Sequence, residues 1–73
     1  MLDFNETRLY VRGTEEDVKA FTIDLTWFHS SWGIVGSINY MDDGEIVLNL
    51  IVDTLREDNV QKLAEEHHCY KAW

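Results

Sequence analysis

Polar and apolar positions alternate at the start of this chain. Thr7, Leu9 and Val11 fall on one side and Arg8, Tyr10 and Arg12 on the other, the period-2 signature of a half-buried strand. Gly13 ends that run. Thr14 can cap a helix, and Glu15, Glu16 and Asp17 suit the positive end of a helix dipole. Val18, Phe21, Leu25 and Phe28 then recur at helical spacing as one apolar stripe. The pattern predicts a helix over residues 14–30, closed before Trp32-Gly33. The β-branched Thr22, Ile23 and Thr26 weaken its propensity toward that end.

Residues 34–41 and 45–53 read as two strands joined by Asp42-Asp43-Gly44, and the pattern selects the turn. A two-residue Asp43-Gly44 turn would set Ile46, Leu48 and Leu50 on the same face as Met41, Asn39 and Ser37. A three-residue loop with Gly44 left-handed pairs them with Tyr40, Ile38 and Gly36. Only the second register gathers the large apolar side chains, and a slip of one residue would reverse every one of them. Thr54-Leu55-Arg56-Glu57 has the form of a capping box opening a second helix over 54–67. Val60, Leu63, Ala64 and His67 are its inner stripe, and residues 69–73 suffice for a short last strand.

The element order β-α-β-β-α-β, with right-handed crossovers, predicts a ferredoxin-like α+β domain spanning 1–73. Its four-stranded antiparallel sheet has spatial order 4-1-3-2 and carries both helices on one face. Leu9, Val11, Phe21, Leu25, Ile38, Leu48, Leu50, Val60 and Leu63 are the expected core. The topology also gathers acids: the first strand's end, the hairpin tip and the second helix's end share one pole. Glu15, Glu16, Asp17, Asp42, Asp43, Glu45, Glu65 and Glu66 would therefore be neighbours.

Composition sharpens this. Six basic against fourteen acidic residues give a net charge of −8, while 45% of the chain is apolar. That apolar share supports folding rather than disorder. The acid excess disfavours nucleic-acid phosphate as a ligand, because phosphate contacts recruit Lys and Arg. The single Cys69 excludes an internal disulfide and suits a reducing cytoplasm. No apolar run approaches membrane-spanning length, and the first residues do not form a basic-then-apolar leader. A cytoplasmic, unprocessed protein without membrane contact is the expectation.

The run Thr7-Arg8-Leu9-Tyr10-Val11-Arg12-Gly13-Thr14-Glu15-Glu16-Asp17-Val18-Lys19-Ala20-Phe21 resembles the small ferredoxin-like domain proteins carried by bacteriophages and plasmids. In these the first strand ends in a Val-x-Gly step, followed by an acidic helix start and a Phe. Trp32-Gly33 also resembles the Trp-Gly before their second strand. The likeness covers about the first half of the chain. It departs at Thr7, where the family has Asn, and at Val52-Asp53-Thr54-Leu55, which replaces a Trp and Pro-Pro segment. The resemblance implies the fold and a mobile-element origin (hence a host cytoplasm), and no established chemistry.

Several candidate sites remain. The acidic pole could imitate nucleic-acid phosphate toward a basic protein groove. Helix capping and solubility account for Glu15, Glu16 and Asp17, but not for the acids of the other two segments. Asp42-Asp43-Gly44-Glu45 lacks the alternating ligand spacing of a calcium loop. On the open sheet face, Tyr10, Val35, Met41, Val47 and Ile51 stand beside Arg8, Arg12, Ser37, Asn39 and Asn49. RNA-binding sheets of this topology carry aromatics on both central strands, whereas here Tyr10 stands alone; self-association or a protein partner fits that face better. His67 and His68 diverge by about 100° on a helix, and no second metal-ligand pair supports them with His29 and Cys69. Trp27 lies off the apolar stripe, as an interface anchor would, and Trp32 can seal the lower end of the sheet. No nucleophile with a His at motif spacing, phosphate loop or acid pair suggests an enzyme. No cofactor is expected.

The function that emerges is a small acidic inhibitor of a host nucleic-acid-handling or defence protein. It would act through Glu15, Glu16, Asp42, Asp43, Glu45, Glu65 and Glu66, with Tyr10 and Trp27 as further contacts, and bind no nucleic acid itself. The alternative is a homo-oligomeric ligand-binding or regulatory module, possible as a homodimer through its open sheet face.

Overall fold

The computed structural model describes residues 5–72. Its elements are β1 (Glu6–Thr14), α1 (Glu15–Phe28), β2 (Gly33–Tyr40), β3 (Glu45–Asp53), a 3-10 turn (Thr54–Arg56), α2 (Glu57–Glu66) and β4 (Tyr70–Lys71). The strands form one antiparallel sheet in the order β2-β3-β1-β4 with both helices on one face, a ferredoxin-like α+β fold. Alternation in β1 and β3 sends Leu9, Val11, Leu48, Leu50 and Val52 into the core. There they meet Val18, Phe21 and Leu25 of α1 and Val60, Leu63 and Ala64 of α2.

Local chemistry sets most boundaries. The Thr14 hydroxyl accepts from Asp17 N at 3.2 Å and caps α1. The hairpin closes through the three-residue loop: Met41 N donates to Glu45 O at 2.8 Å, Tyr40 faces Ile46, and Gly44 has φ +86°. Gly33 is needed for a different reason. A Cβ there would stand 2.8 Å from Ile51 O and 3.2 Å from Val52 Cα, so β2 could not approach β3.

Five expectations need correction. Helix α1 stops at Phe28, which is 76% exposed rather than part of the stripe. Its place is taken by Trp32, half-buried against the core and stacked on His29 at 3.8 Å. A bulge between Val35 and Ser37 puts Val35, not Gly36, opposite Leu50. Val35 therefore leaves the open face and packs on the core. Ile38 and Tyr40 do sit on the helix-bearing face, yet they are 50% and 72% exposed, because α1 stands off this edge strand and leaves a groove. The capping box does not form. Asp53 Oδ1 caps the 3-10 turn by accepting from Leu55 N, and the Thr54 hydroxyl bonds Asn5 O and Thr7 Oγ1. Helix α2 thus begins at Glu57 without a side-chain cap. The expected last strand shrinks to Tyr70–Lys71, with Ala72 N still donating to Tyr10 O at 2.8 Å, and Trp73 lies outside the described residues.

Helix α2 ends in a left-handed turn. His68 has φ +62°, its N–H reaches Glu65 O, and Cys69 N reaches Ala64 O. This is the double bond of a Schellman closure, with His in the position glycine usually holds.

Candidate functional site: an acidic end built around Arg12

Register brings the acidic segments together. Thr14 is paired with Glu45, so α1 begins with Glu15 beside the hairpin tip that carries Asp42 and Asp43. Arg12 is paired with Tyr70, which sets the β4 start, and with it the chain just after α2, at this same end. Asp17 lies close enough to Cys69 to oppose its ionisation. Glu65 closes α2 on that side and is exposed. Glu66 departs: it lines a separate hollow with His29, Trp32 and Lys62.

The cluster is not uniformly negative. Arg12 Nη2 meets Asp43 Oδ2 at 2.6 Å and Arg12 Nε meets Glu45 Oε1 at 2.6 Å. Tyr70 OH donates to Glu45 Oε1 at 2.7 Å. Each group shifts in the sense these bonds dictate. The Arg12 guanidinium holds Glu45 below the ordinary carboxylate range, with Tyr70 adding to the effect. Asp43 is lowered chiefly by accepting from the Glu45 backbone N–H at 3.0 Å, then by Arg12. Arg12 is raised, first by Glu45, and the Tyr70 phenol is raised by donating to Glu45. The two acids nearest the sheet are thus committed within the molecule. Among the described residues no ion pair engages Glu15, Glu16 or Asp42, all exposed. Lys19, one turn along α1, offsets part of their charge.

No motif marks Arg12 as a partner of the hairpin. Its alternation with Tyr10 placed it on the open face, and the three-residue loop fixed which carboxylates it would meet. Neither signal alone names the pair.

The open face differs from expectation. Val47 is buried there, while Tyr10, Ile51 and Asn49 are half-buried. Tyr10 stands opposite Asn49, whose Oδ1 is buried and accepts no hydrogen bond among the described residues. Trp27 is 77% exposed on the outer side of α1. The histidines separate: His67 Nε2 contacts Asp24 Oδ2 at 2.9 Å and its ring edge meets Phe21, while His68 turns the chain. No group of three or more potential metal ligands occurs among the described residues. Burial pushes the Cys69 thiol up to about 11, with Asp17 contributing. No described helix is long and apolar enough to cross a membrane.

The fold and this end define an acidic α+β domain of the ferredoxin-like type. Among known proteins, no family model matches the chain, and neither a curated protein nor a solved structure matches it.

Proposed function

We propose that this chain is a binding protein and not an enzyme: it offers its acidic end to a basic surface on a partner protein and inhibits that partner. The carrying observation is that Glu15, Glu16 and Asp42 are exposed at one end, beside a hairpin held in shape by Arg12. Carboxylates fixed on a rigid hairpin and a helix start can meet a basic groove without being ordered at the moment of binding, which lowers the entropy cost of association. Their summed field also speeds encounter with a cationic surface. A groove that normally receives nucleic-acid phosphate has that chemistry, so a host nucleic-acid-handling or defence factor is the partner class. The resemblance of residues 7–21 to phage- and plasmid-carried proteins supports that setting, in the host cytoplasm.

A homo-oligomeric module using the open sheet face has less support. Of the large hydrophobic side chains exposed among the described residues, only Ile34 and Tyr70 belong to that face.

Capture from host lysate, followed by competition, tests the reading. The purified partner should be displaced from the immobilised chain by a DNA duplex, as phosphate mimicry requires. A partner whose binding is indifferent to DNA and to the triple variant Glu15→Gln/Glu16→Gln/Asp42→Asn would contradict it.

A further inference from the structure

The surface around β2 is built unlike the rest of the molecule. Strand β2 is an edge strand of eight residues, paired on one side only among the described residues. Its sequence, Gly-Ile-Val-Gly-Ser-Ile-Asn-Tyr, has no charged residue and no proline, in a chain of net charge −8. Soluble proteins usually blunt a long free edge with Lys, Pro or extreme shortness. The opposite edge follows that rule: β4 has two residues, one of them Lys71. Strand β2 does not.

Beside the free edge runs a mainly apolar groove, floored by Ile46 and Leu48 and walled by Ile23 of α1 and by Ile38 and Tyr40 of β2, with Glu15, Lys19 and Thr22 of α1 also lining it. Ile23, Ile38 and Tyr40 are 51%, 50% and 72% exposed, and Trp27, one helical turn after Ile23, extends the apolar rim. From these fractions and the size of such side chains, the surface amounts to on the order of 500 Å² per copy, or about 1,000 Å² for two, before strand backbone is counted. That reaches the lower bound for a specific interface.

We propose that two copies of this chain join along β2, antiparallel about a two-fold axis, into one continuous eight-stranded sheet with Ile23, Ile38, Tyr40 and Trp27 covered. A strand edge is its own complement in this arrangement, because the outward N–H and C=O groups of one copy meet those of the other. Charge selects the antiparallel sense. The acidic hairpin tips follow β2 directly, so antiparallel pairing sends them to opposite ends of the joined sheet, whereas parallel pairing would press them together. Of the acidic end only Glu15 lines the covered groove; Glu16 and Asp42 stay free, and the dimer does not depend on the function proposed for them.

Sedimentation of the full chain across micromolar concentrations tests this, with circular dichroism confirming that each variant is folded. The wild type should sediment as a dimer of the 8.6 kDa chain. Ile38→Lys and Tyr40→Lys, at exposed positions, should raise the dissociation constant by about 100-fold or more, because each places two like charges in a dry contact. Leu55→Lys, exposed and away from the edge, should leave it unchanged. Added salt should tighten the wild-type dimer by screening repulsion between two acidic copies. Should the lysine variants unfold, amide exchange of the wild type at two concentrations decides: residues 33–40 should exchange more slowly at the higher one. A monomer at about 100 µM, a typical weak-dimer range, would overturn the proposal. So would a dimer indifferent to both lysines, or protection of β2 that arises only when a different protein is added.

Discussion

Among the described residues two turn the chain through left-handed backbone, and only one is glycine. A Cβ at Gly44 would meet nothing within 4 Å, so the constraint there is the backbone alone, at φ +86°. Gly44→Val should lower stability by on the order of 1 kcal/mol or more, read as a shift in urea midpoint, because a β-branched residue resists positive φ. His68 bears the same kind of cost at φ +62°. His68→Gly should raise stability by about 1 kcal/mol in the same titration. An unchanged midpoint would mean that its ring contributes packing equal to the backbone cost. Gly44 was legible in the sequence because the apolar register demanded a three-residue loop. His68 was not, since nothing in His-His-Cys marks a helix stop; that role follows from Ala64 and Glu65 lending their carbonyls to the closure.

At the scale of elements, period identified the faces but not their cover. Both helices and the β2–β3 hairpin were readable, and Leu9, Val11, Phe21, Leu25, Leu48, Leu50, Val60 and Leu63 are buried as their spacing implied. Ile38 is on the expected face without a helix above it, a matter of where α1 crosses the sheet. The bulge at Gly36 moved Val35 across the sheet, and an isolated glycine within a strand was its only local sign. The capping box failed because Asp53 and the Asn5–Thr7 segment supplied Leu55 N and the Thr54 hydroxyl with other partners. The hairpin makes a testable element of its own. Asp43 and Glu45 are lowered by their bonds in the folded state. They therefore stabilise it above the ordinary carboxylate range, and that contribution is lost as pH falls through their lowered values. Arg12→Gln should lower the melting temperature at pH 7, and the difference from wild type should shrink as pH drops below about 4. A difference constant down to strongly acid pH would show that Arg12 acts through packing.

For the whole molecule, the topology alone brought the helix-start acids and the hairpin acids to one end. What the sequence left hidden was which of them are spent internally. Asp43 and Glu45 serve Arg12, and Glu66 lines a hollow with His29, Trp32 and Lys62. Reversing Asp42, Asp43 and Glu45 to Lys would therefore disturb the hairpin as well as the field around it. The informative variant is Glu15→Gln/Glu16→Gln/Asp42→Asn, which removes exposed charge and keeps side-chain size. At the start of α1 it should cost stability only by roughly 0.3–1 kcal/mol per helix acid. The deciding measurement is the affinity of the captured partner for wild type and for this variant at low and high salt. Wild-type binding should weaken steeply with salt, and the variant should bind at least about tenfold more weakly at low salt, the two converging as screening removes the charge contribution. Equal affinities at low salt would contradict a role for the acidic end and leave it as a solubility device.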